Sequence, residues 1–241
     1  MRELLAAPES ADLAQCVRHA KPGSTAVDVG ASVGNYSLAL RKAVGANGRV
    51  LAIEANPAVY KELVCSTWHS GIETRNIAVS SSPGMAELLI PVDREGQAQE
   101  PAATLEARTR VGRRIQVERV KLDDLLQAAK RVTLIKIDVE GHEFDVILGA
   151  AATIERHRPA FVVEIEQQHQ SGTRQVGDVV DLLTSRGYTC LGIHGDELIP
   201  WEQFELRRWQ TDWLAEARAH QRSHLQDYVN NFLFVDRLAA Q

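Results

Sequence analysis

Side-chain type and spacing first suggest chemistry where an acid stands just ahead of a glycine turn. The stretch AVDVGASVGNYSLAL, residues 26–40, places Asp28 inside an apolar run and follows it with Gly30 and Gly34. Glycine permits close backbone approach and positive φ, and N–H groups opening a helix favour an anion. The order Gly30-Ala31-Ser32-Val33-Gly34 fails the G-x-G-x-x-G spacing of dinucleotide sites. An acid so placed suits a ligand with a cationic end better than a pyrophosphate. S-adenosylmethionine has an ammonium and a carboxylate and no phosphate. Asp28 is expected to take the ammonium, directly or through water, while the turn at Gly30, Ser32 and Gly34 meets the carboxylate. The bland alternative for Asp28 is a strand carboxylate satisfied by backbone N–H groups.

Glu54 ends the next apolar run, RVLAIEA, 24 residues after Gly30. A carboxylate there can accept both ribose hydroxyls of an adenosine cofactor, or it is simply a charge ahead of the helix opening at Asn56. Asn76, at the end of a third run, is either an adenine-edge contact or a turn former.

A second cluster lies in LIKIDVEGH, which brings Lys136, Asp138, Glu140 and His142 together, with Glu164 and Glu166 in PAFVVEIE. Strand alternation puts Lys136 and Asp138 on one face. A hydroxyl acceptor must lose its proton to a base within reach or be acidified by a cation. Asp138, His142 and Glu164 are the catalytic candidates, and Asp138 with Glu164 could also hold Mg2+ through oxygen. His142 is a base suited to neutral pH or a solvent-facing residue at a helix start, and Lys136 is an ion-pair partner of these acids. Arg108, Arg110, Arg113 and Arg114 could clamp an anionic acceptor or form a solvated loop. Trp201, Trp209 and Trp213 are spaced equally well for core, acceptor lid or subunit interface, with core the default.

Elements must bring these residues to one place. The apolar runs 25–29, 49–55, 72–79, 131–138, 159–166 and 188–195 read as strands, separated by helical patterns at 34–44, 57–70, 143–157 and 178–187. This alternation indicates a parallel sheet covered on both faces. Segments 85–92 and 116–122 read as an extra hairpin, 122–130 as a short helix, 196–228 as a helical insert with its helical pattern over 202–227, and 230–236 as a last strand. The 241 residues fit one domain, 1–241, with a helical lead-in over 1–24.

Composition agrees with a soluble globular chain, at 44% hydrophobic and 24% charged residues. A net charge of −5 argues against a general polyanion binder. No apolar stretch approaches the roughly 20 residues of a membrane span, and the charged N-terminus does not read as a signal peptide. Three scattered cysteines, Cys16, Cys65 and Cys190, read as reduced thiols in a cytoplasmic protein.

With these residues placed, the chain resembles the FkbM family of S-adenosylmethionine-dependent methyltransferases. The likeness runs through VDVGASVGNYSL, VLAIEANPAVYKEL, NIAVSSSPGMAEL, VKLDDLL, LIKIDVEGHEFDVILGA, PAFVVEIE and NNFLFVD. Ser32 departs from the asparagine common there, and 93–114 and 196–228 follow no family pattern. The resemblance implies a class I methyltransferase (Rossmann-like) α/β fold. Its seven-stranded, mostly parallel sheet has strand order 3-2-1-4-5-7-6 and an antiparallel last strand. It also implies O-methyl transfer to a sugar, polysaccharide or natural-product hydroxyl; nucleic acid is not expected as acceptor, because no Asn/Asp-Pro-Pro-aromatic motif follows the fourth strand. The alternatives are a non-catalytic adenosine-binding or scaffold protein, and a nicotinamide oxidoreductase, which the glycine spacing opposes. A homo-oligomer through 196–228 is a further expectation.

Overall fold

The computed structural model describes residues 10–93, 95–106, 111–170, 172–218 and 228–240. In chain order these form α1 (Ala11–His19), β1 (Thr25–Val29), α2 (Asn35–Val44), β2 (Arg49–Ile53), α3 (Pro57–Ser66), β3 (Glu73–Arg75), β4 (Ala78–Val79) and β5 (Gly84–Pro91). Then come β6 (Gly112–Val120), α4 (Leu122–Leu126), β7 (Val132–Ile137), α5 (Glu143–Leu148), α6 (Ala151–His157) and β8 (Ala160–Glu164). The chain closes with α7 (Val176–Thr184), β9 (Tyr188–His194), β10 (Glu197–Pro200), α8 (Asp212–Arg218) and β11 (Asn231–Asp236).

Near-continuous apolar strands need cover on both faces, and every residue of β1 is buried. One face packs Cys16 of α1 and Leu40 of α2 against Val50, Leu134 and Val162. The other packs Val146 of α5 and Val179 of α7 against Leu51, Ile135 and Phe161. The result is a Rossmann-like sheet in the order β10-β9-β11-β8-β7-β1-β2-β3. β11 runs antiparallel to both β8 and β9.

The expected count of seven strands is corrected to eight. The order otherwise follows the expectation, and β10 adds a hairpin to β9 at the sheet's edge. Its turn is Gly195-Asp196 with Gly195 at φ 54°, a short connection that favours strand pairing. The segment 72–79 is two strands rather than one. The Asn76 amide donates to the Glu54 and Ala55 carbonyls at 2.8 and 3.1 Å, so β3 stays in the large sheet. β4 joins a second sheet of order β4-β6-β5, whose β5–β6 pair is the expected hairpin. The helix expected over 143–157 breaks into α5 and α6 at Asp123, whose N–H donates to the Gly149 carbonyl at 2.9 Å and whose carboxylate accepts from Ala152 N and Thr153 N at 3.0 and 2.8 Å, capping α6.

The insert before β11 forms a short turn at Trp201–Gln203, a π-helical turn at Arg207–Thr211 and α8. Trp201 and Trp209 pack inward beside Phe204 and Phe232, and Trp213 is buried. The aromatic residues of this segment are therefore core.

Gly30, at φ 79°, lies where an added Cβ would stand 1.7 Å from the Asp138 carbonyl oxygen. No rotamer relieves a backbone clash. Gly30→Ala is expected to cost on the order of 3 kcal/mol or more in urea unfolding. Gly23→Ala, also at positive φ but in open space, is expected to cost about 1 kcal/mol.

Candidate active site

Strand ends β1, β2, β7 and β8 open onto one cavity of about 200 Å3, at the carboxyl edge where open α/β sheets bind ligands. Gly30, Ser32, Glu54, Asp138, His142 and Glu164 line it together. Asp28, Gly34 and Asn76 are not part of its lining among the described residues. Gly34 packs toward Leu63 and Thr67 of the α3 region, and Asn76 serves the turn described above.

Asp28 supports the turn from behind. It is 1% exposed, and Ser37 Oγ of α2 donates to its Oδ2 at 2.5 Å. Burial pushes its carboxyl up to about 6, against the pull of Ser37 and of Lys136. Glu54 instead reaches the cavity wall. Its Oε2 accepts from Ser32 N at 3.0 Å and its Oε1 from Asn56 N at 2.8 Å. Each carboxylate oxygen can accept a second bond, so a diol remains a fitting partner. Burial raises its pKa, opposed by those two N–H groups. Ser32, at φ 48°, and Glu140, at φ 55°, are non-glycine residues in the left-handed region, and both face the cavity. Such strain persists where surrounding structure enforces it.

The other end of the cavity is acidic. Asp138 and Glu164 line the same wall, and the charge of one disfavours ionisation of the other. Burial, then the Asp138 charge, pushes Glu164 up to about 8; burial also raises Asp138, with Lys136 opposing. Asn230 donates to Glu164 Oε1 at 2.8 Å and to Glu166 Oε1 at 3.0 Å. Beneath the pair lies Lys136, 1% exposed, with Nζ 3.8 Å from Asp138 Oδ2 and 3.3 Å from Asn231 Oδ1. Burial works against its charge, yet Asp138 and Glu164 hold its pKa above the ordinary lysine value. Its ammonium also lies 5.1 Å from the Tyr36 ring centroid.

His142 is buried rather than solvent-facing, at 8% exposure. Its Nδ1 meets Glu106 Oε1 at 2.7 Å and its Nε2 meets Ser80 Oγ at 3.0 Å. With both ring nitrogens engaged, it holds the wall and has no nitrogen open to an acceptor. Glu106, His142 and Asp145 present ligand-type atoms within 4.8 Å of one another. Asp145 is already engaged by Ser81 and Arg174, so a metal there would have to displace both.

Local sequence signals missed the apolar walls. Ile77, Ala78, Val79, Leu88, Ala103 and Leu105 come from the second sheet and its excursion. Thr104 Oγ1 donates to the Glu140 carbonyl at 2.8 Å. On the opposite side, Asn56 Nδ2 donates to Glu100 at 2.7 and 3.1 Å. Arg113 and Arg114 pair with Glu100 and Glu87 away from the cavity, and Arg108 and Arg110 lie outside the described residues.

The model of the methyltransferase FkbM domain matches residues 28–190, from Asp28 through both acid clusters. The chain belongs to the FkbM family. This is a family of S-adenosylmethionine-dependent methyltransferases. Methyltransferase sdnD of Sordaria araneosa is 27% identical over 153 residues, covering 51% of this chain and 59% of that protein. A crystal structure of methyltransferase FkbM from Methylobacillus flagellatus superimposes with a TM-score of 0.53 at 16% identity. That match covers 88% of this chain and 43% of the other, and shows a shared fold. The chain thus spans well under two thirds of the length of either relative. No helix among the described residues is long and apolar enough to cross a membrane.

The buried acids carry a pH signature. Asp28 ionises at about 6 when folded and near 3.9 when unfolded, so its contribution is full below pH 4 and is lost as pH rises through 6. Urea titrations from pH 4 to 7 should show wild type losing up to about 3 kcal/mol relative to Asp28→Asn. Parallel profiles would exclude this burial.

Proposed function

We propose that this chain binds S-adenosylmethionine in the cavity and transfers its methyl group to an acceptor hydroxyl, on a sugar, polysaccharide or natural-product intermediate. The observation that carries the donor half is the lining charge. Glu54, Asp138, Glu140 and Glu164 line the cavity, and no lysine or arginine does so among the described residues. That set suits a phosphate-free nucleoside with positive charge and disfavours the pyrophosphate of a nicotinamide cofactor. Glu54 would accept from the ribose, with Ile77, Val79 and Leu88 offering an apolar slot for the base. The turn at Gly30 and Ser32 would take the amino-acid end, while Asp28 stiffens that turn through Ser37.

When bound, S-adenosylmethionine supplies a methyl carbon made electrophilic by its sulfonium. The protein's task is to align an acceptor oxygen with that carbon and exclude water. Asp138 is placed to receive the hydroxyl proton as the new C–O bond forms and the C–S bond breaks, leaving neutral S-adenosylhomocysteine. Glu164, kept protonated by burial and by the Asp138 charge, leaves Asp138 as the carboxylate of the pair, and Lys136 balances that charge from below until the proton arrives. His142 keeps the cavity wall in place through Glu106 and Ser80. Mg2+ would use the same two carboxylates. Since the Lys136 ammonium already stands 3.8 Å from Asp138, methyl transfer is expected to persist in EDTA.

Calorimetric titration should show S-adenosylmethionine binding and NAD failing to bind. Glu54→Ala should weaken donor affinity by roughly tenfold or more, the loss of about one good charge-assisted bond pair. In a screen of hydroxyl acceptors with labelled donor, Asp138→Asn should lower turnover about 100-fold or more with donor affinity nearly unchanged. NAD binding in place of the donor would overturn the first half. Full turnover by Asp138→Asn would overturn the second, and donor binding without transfer to any acceptor would favour a non-catalytic binding protein.

A further inference from the structure

A second cavity, of about 530 Å3, opens at the opposite end of the same strands. Its lining includes Val132 and Ala160, at the starts of β7 and β8, and the Gln15, Arg18 and His19 side of α1. The methyl-transfer site lies where these strands end, so a ligand here is neither donor nor acceptor. The volume falls within the roughly 300–1,000 Å3 of small-molecule sites.

Its chemistry is divided. The floor is apolar, formed by Leu191, Leu198, Leu233 and Val235, of which Leu191, Leu198 and Val235 are only half-buried. The rim is basic. Arg18, Lys21, Arg131 and Arg158 face the cavity with a single carboxylate, Asp236, among the described residues. Arg158 holds that carboxylate at 2.7 Å, leaving Arg18, Lys21 and Arg131 with no carboxylate partner among the described residues in a chain whose net charge is −5; Lys21 Nζ donates to the Arg18 carbonyl at 2.9 Å. His19 feels the same field, its pKa lowered by burial and then by Lys21 and Arg18. Two buried polar atoms in this wall, Gln15 Oε1 and His157 Nε2, have no hydrogen-bond partner among the described residues, which native proteins seldom leave without a reason.

We propose that this cavity binds a small amphipathic anion, its carboxylate or phosphate head held by Arg18, Lys21 and Arg131 and its aliphatic body on the Leu191–Leu198–Leu233 floor. Charge complementarity selects this occupant. A two-fold dimer through the same face would place the three cations against their own copies, at a cost in repulsion. The inference is independent of the methyl-transfer reading.

The full chain would be titrated calorimetrically with sodium octanoate, octyl phosphate and octanol, with and without S-adenosylhomocysteine. One anion should bind per chain, roughly tenfold or more tighter than octanol, with affinity falling as salt rises. The stronger of the two anions identifies the head group. The exposed double substitution Arg18→Glu with Arg131→Glu should abolish this preference, and Leu198→Asp should weaken binding, both without changing donor affinity. Octanol binding as tightly as the anions, no anion binding, or equal anion binding by the double variant would each overturn the proposal. A sedimenting dimer that Arg131→Glu dissociates would assign the face to a second copy instead.

Discussion

One buried ammonium ties the centre of this molecule together. Lys136 stands opposite Asp28 across the β1–β7 pair and within reach of Asp138 and Asn231. Glu164 and Asn231 are themselves partners across β8 and β11. A charge removed from water needs such company. A slip of one residue in any of these strands would turn its side chains to the wrong face, stranding the lysine or one of the acids. The register of four strands and the charge state of the cavity floor are therefore one constraint. The arrangement gives specificity of pairing more surely than net stability, since buried ion pairs often do no better than apolar replacements.

The cavity joins two structures with different duties. The large sheet supplies the acids and the glycine turn, and the Gly30–Asp138 approach presses β1 and β7 together at the point where both deliver their functional residues. The small sheet supplies oily wall. Its excursion is fastened at Asn56 on one side and at Glu140 and His142 on the other. The fastening explains why His142 Nδ1 is occupied, while Ser80, just after β4, takes Nε2.

Legibility of the sequence followed the range of the interactions. TAVDV reads as a strand from its own residues and is one, Thr25–Val29. The hairpin around 85–121 reads from its flanking apolar runs and forms as β5 and β6. What failed depended on distant partners. The break between α5 and α6 is held by Asp123, far away in sequence, which bonds the Gly149 carbonyl and caps the first N–H groups of α6. The split of 72–79 is imposed by Asn76 reaching back to the end of β2. ELIP carries a charge and a proline, which hid β10 inside the insert. At the site, Glu54 and Asp138 were readable because strand ends announce themselves. The engagement of His142 by Glu106, and the sealing of Asp28 by Ser37, were not, since each depends on a side chain from a separate element.

The roof and the floor of the cavity are connected by side-chain bonds but belong to separate backbone ladders. The ribbon between β5 and β6 can therefore lengthen, shorten or change its apolar tips while the acids keep their spacing, because no ladder bond links the two sheets among the described residues. Diversification of what the cavity admits has an economical route here: remodel the canopy, and leave the electrostatic bedrock alone.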